Sequence, residues 1–238
     1  MKSKVQSVER KGQTDMQKIK LKLPGADNFY VQEAYKVLRT NLQFCGQNVK
    51  VIALTSCNEN EGKTTISLHL ARSLAELGKK VIIIDGDMRK SILVGRNTYA
   101  TKVFGLSEAL TGMKEVSECI YATQYLNLNI MFAGKCPPNP VELLNSDYFS
   151  RLIEHIRGDY DYIIIDTPPL GRVIDAAVIA PNCDGIILVL GSKHIHRKQA
   201  QDVIEQINKS GKKVLGVVRN NIKRIESGYY YRDKRYGK

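Results

Sequence analysis

The chain has 238 residues, 43% of them hydrophobic and 25% charged, with a formal net charge of +12. That length buries a full core in one α/β domain. No apolar run approaches the roughly 20 residues that a membrane-spanning helix needs, and no apolar leader opens the chain, so a soluble, cytosolic protein is expected. Five scattered cysteines, none spaced as CxxC, argue against a disulfide framework or a zinc site and for reduced thiols.

The positive charge collects toward the two ends, with Lys18, Lys20 and Lys22 near one and Arg232, Lys234 and Arg235 near the other. Such charge suits an anionic membrane face, a polyphosphate or a nucleic acid, and by itself selects none of them.

In chain order, residues 1–28 are polar, broken by Pro24-Gly25, and read as a flexible basic arm. Residues 29–45 read as an amphipathic helix, with Phe29, Ala34, Val37, Leu38 and Leu42 as its apolar face and Glu33, Lys36 and Arg39 opposite. The β-prone run Val51-Ile52-Ala53-Leu54 then enters a polar turn and Gly62-Lys63-Thr64-Thr65, which opens a helix over 63–77. A strand, a turn rich in backbone N–H groups and a helix N-terminus form an anion site, and this spacing is a P-loop. Glu61, Gly62, Lys63, Thr64 and Thr65 are its nucleotide-binding residues. Lys63 would reach the β- and γ-phosphates and Thr64 would offer its hydroxyl to Mg²⁺. Cys57 stands where the first glycine is usual. Asn60 tolerates the left-handed backbone the turn needs.

Val81-Ile82-Ile83-Ile84 is unbroken apolar sequence, expected of a parallel strand buried on both faces, and it ends in Asp85-Gly86-Asp87. Short helices are expected over 106–110 and 116–121, and a strand over 127–133. After them come a loop holding Pro137, Pro138 and Pro140 and one helix over 141–156. Ile163-Ile164-Ile165-Asp166 before Thr167-Pro168-Pro169 has the form of a strand whose terminal aspartate holds Mg²⁺. Strands over 185–190 and 214–218, with a helix over 197–210 between them, complete the expected fold: α/β, a P-loop NTPase with a doubly wound, mostly parallel sheet flanked by helices. Asn220, just past the last strand, is placed to bond an adenine edge. Residues 223–238 carry Tyr229, Tyr230, Tyr231 and Tyr236 and read as a flexible tail, leaving 29–222 as the domain.

Together the P-loop at 56–65, the aspartate strands at 82–89 and 163–169, the segment Gly134–Leu144 and the tyrosine cluster resemble the bacterial protein-tyrosine kinases of capsule and exopolysaccharide synthesis, in their separate cytoplasmic form. The resemblance implies an ATP- and Mg²⁺-dependent autokinase in which Lys63, Asp85, Asp87 and Asp166 are catalytic. Thr64 and the three aspartates would hold the metal, with Asp85 as the base toward an incoming phenol. It also implies autophosphorylation in trans at Tyr229, Tyr230, Tyr231 and Tyr236, and ring assembly through Glu33, Lys36 and Arg39, where Lys36 replaces an arginine of the family's pattern. A transmembrane polysaccharide co-polymerase would activate the kinase at the inner face of the plasma membrane, and other protein substrates fit the same reading. An ATPase switch of the chromosome- or septum-positioning kind is the alternative. It is disfavoured because Asn58 stands where those proteins carry a signature lysine. A nucleotide-gated module using its basic ends on nucleic acid ranks below both.

Overall fold

The computed structural model describes residues 16–98, 103–191 and 197–222. It opens with a two-residue strand β1 (Lys18–Ile19) and helix α1 (Phe29–Phe44), followed by β2 (Val51–Ser56), α2 (Lys63–Ala75) and β3 (Val81–Asp85). Helices α3 (Leu93–Asn97) and α4 (Leu106–Leu110) lead to β4 (Ile120–Thr123) and β5 (Leu128–Met131). Then come α5 (Pro140–Leu144), α6 (Asp147–Arg157), β6 (Tyr162–Asp166), α7 (Asp175–Ile179), β7 (Gly185–Gly191), α8 (Arg197–Lys209) and β8 (Val214–Asn220).

The strands form one sheet in the order β1-β4-β5-β3-β6-β2-β7-β8. Every neighbouring pair is parallel except β4–β5. The central strands lack polar alternation because helices cover both faces of the sheet. Val51 and Ala53 of β2, Ile82 and Ile84 of β3, and Ile163 and Ile165 of β6 pack into one layer with Phe149, Leu152 and Ile156 of α6 and Ile179 of α7. The alternate residues Ile52, Leu54, Ile83 and Ile164 enter the opposite layer with Ile66, Leu70 and Leu74 of α2. Register then fixes the site. Ile83 lies beside Ile164 and Asp85 beside Asp166, so the two carboxylates end adjacent strands at the same edge. The loop between β2 and α2 opens at that edge, where ligands bind in such sheets.

The structure departs from the sequence reading in four places. The helix expected over 141–156 is two, because the Ser146 side chain accepts the Phe149 N–H and starts α6 afresh. The helix expected over 116–121 is a 3₁₀ turn, Val116–Cys119, running directly into β4. Within the segment read as a flexible arm, residues 16–28 pack on the domain. Lys18–Ile19 pairs with β4, Gln124 makes two hydrogen bonds to the Leu21 backbone, and the Pro24 carbonyl contacts His69 Nε2 at 3.1 Å.

The fourth departure concerns α1. Its packed side consists of Tyr35, Leu38 and Leu42, whereas Phe29 and Val37, expected inward, are 65% and 60% exposed. Arg39 lies on the packed flank, where Nη1 donates to the Ser73 carbonyl at 2.7 Å and to its hydroxyl at 3.3 Å. Glu33 and Lys36 pair with each other at 2.7 Å on the exposed side. Arg39 therefore ties α1 to α2 and does not continue a charged stripe with them. Arg39→Ala should lower unfolding stability by about 1–2 kcal/mol, while Lys36→Ala costs less than about 0.5 kcal/mol, both read from urea denaturation midpoints. Equal costs would remove the distinction.

Candidate active site

The P-loop is built around two residues whose chemistry is local. Gly62, at φ 91°, caps α2 without a side chain, and a Cβ there would lie 2.0 Å from Asn220 Nδ2. No side-chain oxygen caps the first turn of α2, which leaves its N–H groups for an anion. Asn60 adopts φ 60°, the left-handed conformation expected of it. Glu61 is buried. Its carboxylate accepts the Asn58 N–H at 2.9 Å and the Gly191 N–H at 3.3 Å, and its carbonyl accepts from Asn220 Nδ2 at 3.0 Å. Glu61 and Asn220 thus clamp the loop onto the ends of β7 and β8. The Asn220 amide nitrogen, expected at an adenine edge, is engaged with that clamp.

A cleft of about 330 Å³ opens in front of the loop, with Lys63, Thr64, Asp85, Asp87 and Asp166 among its lining residues. Glu61, Thr65 and Asn220 do not line it. Thr64 Oγ1 donates to Asp166 Oδ2 at 2.6 Å, and Ser67 Oγ, one helical turn on, donates to Asp166 Oδ1 at 3.1 Å. Ser91 Oγ donates to Asp85 Oδ2 at 2.5 Å, and the Asp87 N–H to Asp85 Oδ1 at 3.1 Å. Gly86 lets the two strand ends touch. Its N–H donates to the Asp166 carbonyl at 2.7 Å, and a Cβ there would sit 3.1 Å from that oxygen.

Burial and the facing Asp166 charge push the Asp85 carboxyl up to about 8, against which the Ser91 and Asp87 donors act only in part. Burial also raises Asp166, to about 6, with the Lys63 ammonium and the Thr64 and Ser67 hydroxyls holding it lower than its neighbour. Two buried carboxylates, both raised above the ordinary carboxylate value and beside a lysine, are a donor set whose charge a hard divalent cation would favour. Among the described residues no three acidic, histidine or cysteine side chains are close enough to hold a metal alone. Mg²⁺ takes one or two carboxylates and completes its shell with phosphate oxygens and water. The residues present therefore fit a nucleotide with Mg²⁺.

Residues 49–223 match the family described as AAA domain. A tyrosine-protein kinase CpsD of Streptococcus agalactiae is 42% identical over 198 residues, which are 83% of this chain and 86% of that one. The chain belongs to the bacterial tyrosine-protein kinase family. Among solved structures, the kinase domain of the Escherichia coli tyrosine kinase ETK superposes with a TM-score of 0.76 at 30% identity, covering 84% of this chain and 79% of that one. The septum site-determining protein MinD of Pyrococcus horikoshii, solved with Mg-ADP, is a more distant relative of the fold, with a TM-score of 0.61 at 26% identity over 74% of this chain and 72% of that one. The kinase is thus a P-loop nucleotide-binding protein.

Several residues in or bonded to the kinase cleft escaped the sequence reading. Ser67 falls three residues after Thr64 on one face of α2, a spacing that could have revealed it. Ser91 approaches Asp85 through an irregular loop, and Arg89 reaches the buried Asp175 at 2.9 Å across 86 residues; neither has a local sequence signature. Tyr229, Tyr230, Tyr231 and Tyr236 lie outside the described residues.

The raised Asp85 and Asp166 carboxyls set a pH dependence for the metal-free kinase. Each binds its proton more tightly folded than unfolded. That contribution to stability is complete below the ordinary carboxylate value of 3.8 and is lost as pH rises through about 6 for Asp166 and about 8 for Asp85. In chelator without nucleotide, Asp85→Asn should gain on wild type in denaturation midpoint from about pH 4 to about pH 8 and level off above that. Parallel profiles would show that Asp85 is not raised.

Proposed function

We propose that the chain is an ATP-dependent protein-tyrosine autokinase that modifies Tyr229, Tyr230, Tyr231 and Tyr236 of a neighbouring copy and so regulates capsule or exopolysaccharide synthesis. The observation that carries this reading is the meeting of Lys63 and Thr64 with Asp85, Asp87 and Asp166 in one cleft of a chain belonging to the tyrosine-protein kinases. Lys63 and the first-turn amides of α2 bind the phosphates and orient the γ-phosphorus. Mg²⁺, when bound, would neutralise charge on the transferring phosphate; Thr64 and one or two of Asp85, Asp87 and Asp166 would hold it directly, with the remaining carboxylate acting through water.

A tyrosine hydroxyl, with an ordinary pKa near 10, needs a proton acceptor at neutral pH. Asp85 has that role here. The phenol oxygen bonds to the γ-phosphorus while the bond from that phosphorus to the β–γ bridging oxygen breaks. The phenolic proton passes to Asp85, and ADP leaves. Ser91, bonded to Asp85, orients the accepting carboxylate.

Assembly of subunits in a ring would bring a neighbour's tail to the cleft. Its support is the outer side of α1, where Glu33 and Lys36 stand among the exposed Tyr30, Val37 and Phe44. In this reading Arg39 supports the helix from behind. Among the described residues no helix is long and apolar enough to cross a membrane. Recruitment to the inner face of the plasma membrane is therefore assigned to a transmembrane polysaccharide co-polymerase that activates the kinase, a role resting on family membership.

Intact-mass measurement and phosphosite mapping after incubation with ATP·Mg²⁺ test the proposal. Wild type should acquire a ladder of phosphates on the tail tyrosines. Lys63→Met should slow their appearance by at least about a hundredfold, the scale of losing one charge-stabilising donor, and chelator should stop it. ADP release without phosphate on any tyrosine would sink the kinase reading in favour of an ATPase switch.

A further inference from the structure

The wall of the same cleft includes four cations, Arg89, Lys90, Arg96 and Arg172. Two of these cations are already answered. Arg89 Nε donates to the buried Asp175 at 2.9 Å, and Lys90 Nζ pairs with Glu59 at 3.2 Å. Arg96, in the last turn of α3, and Arg172, in the loop after β6, are exposed, and among the described residues neither guanidinium has a hydrogen-bond or ion-pair partner. Two separate segments thus bring uncompensated positive charge to the wall of the cleft. With phosphates seated on the P-loop, an acceptor phenol has to reach the γ-phosphorus through this same cleft.

Planar guanidiniums at a phosphoryl acceptor's entrance suit a dianionic group carried on the acceptor's own chain, because they grip phosphate through paired hydrogen bonds. The tyrosine cluster can supply that group. In an extended peptide, neighbouring side chains lie one to two residues apart, roughly 3.3–7 Å along the chain, within an arginine's reach of the site that holds the acceptor. The unmodified tail offers the opposite charge, since Arg232, Lys234 and Arg235 lie between Tyr231 and Tyr236. We propose that Arg96 and Arg172 form a subsite for a phosphotyrosine neighbouring the acceptor tyrosine, so that one modified tyrosine promotes modification of the next. This rests on the tyrosine-kinase reading and adds a specificity to it.

Peptides spanning residues 226–238, with either tyrosine or phosphotyrosine at position 229, would be presented to the full chain and to the Arg96→Gln/Arg172→Gln variant. Initial rates would be read by mass spectrometry. The wild type should use the phosphorylated peptide with a kcat/KM about tenfold higher, as expected of two solvent-exposed charge-assisted contacts, and the preference should shrink with added salt. In the double variant the ratio of the two peptides should fall to about one. Equal use by the wild type, or a preference that survives the double substitution, overturns the proposal. So does a higher KM for ATP with the ratio intact, which would assign the arginines to the nucleotide.

A parallel binding measurement separates failure of the subsite from failure of the kinase reading. An unreactive peptide, with phosphotyrosine at 229 and phenylalanine at the other tyrosines, would be followed by fluorescence anisotropy beside its unphosphorylated counterpart, with a non-hydrolysable ATP analogue present. If no peptide is ever phosphorylated, tighter binding of the phosphopeptide that is lost in the variant still supports the subsite. Indistinguishable binding overturns it.

Discussion

The register that sets Asp85 beside Asp166 is the constraint on which the site depends. Two carboxylates at the ends of adjacent buried strands repel each other where little water can screen them, and their neighbours are arranged around that cost. Thr64 and Ser67 donate to one, Ser91 and the Asp87 amide donate to the other, and Lys63 stands beside Asp166. These donors reduce the cost without removing it. What remains is a preference for cationic charge, held in place by the packing of β3 and β6 between helices. A catalyst that must gather a polyphosphate and its metal gains from having that preference built before the ligands arrive.

The same packing decided what the sequence disclosed. β2, β3 and β6 were legible because burial on both faces forces unbroken apolar runs, and their terminal aspartates and the Gly62-Lys63-Thr64 turn carry their chemistry in contiguous residues. The layered α/β fold follows from those runs alone. The inward side of α1 was not legible, because Phe29, Ala34 and Val37 are as apolar as Leu38 and Leu42 and periodicity cannot say which of two apolar sides meets the core. The break at Asn145–Ser146 was obscured by the apolar pattern running through it, although the Ser146 cap is a local signal in hindsight.

Within the site, identity was easier to read than direction. Glu61 belongs to the loop's sequence, yet its carboxylate turns inward to hold Asn58 and Gly191, a choice set by strand ends about 130 residues further along the chain. Asn220 was expected to bond an adenine edge, and in the structure its amide nitrogen donates to the Glu61 carbonyl. In both cases a polar side chain shapes the turn between β2 and α2. Buried backbone groups at such a turn must be satisfied whether or not ligand is present.

The wall of Arg89, Lys90, Arg96 and Arg172 bears on how a basic chain could modify a basic tail. Residues 223–238 carry six basic and two acidic side chains, so an unmodified tail meets the positive wall of the cleft at a disadvantage. Each phosphate brings about two negative charges, so a second brings the tail near neutrality and a third makes it an anion. Attraction to the cleft would therefore grow as modification proceeds, within the reach of screened charges, roughly 8–10 Å at physiological salt. In the proposed ring, the same phosphates on neighbouring subunits would repel one another. Which effect dominates depends on distance: the arginines act at contact, whereas repulsion between tails on different subunits is screened by the intervening solvent. Early phosphates would then favour continued modification of one tail, and only a heavily modified set of tails would loosen the assembly.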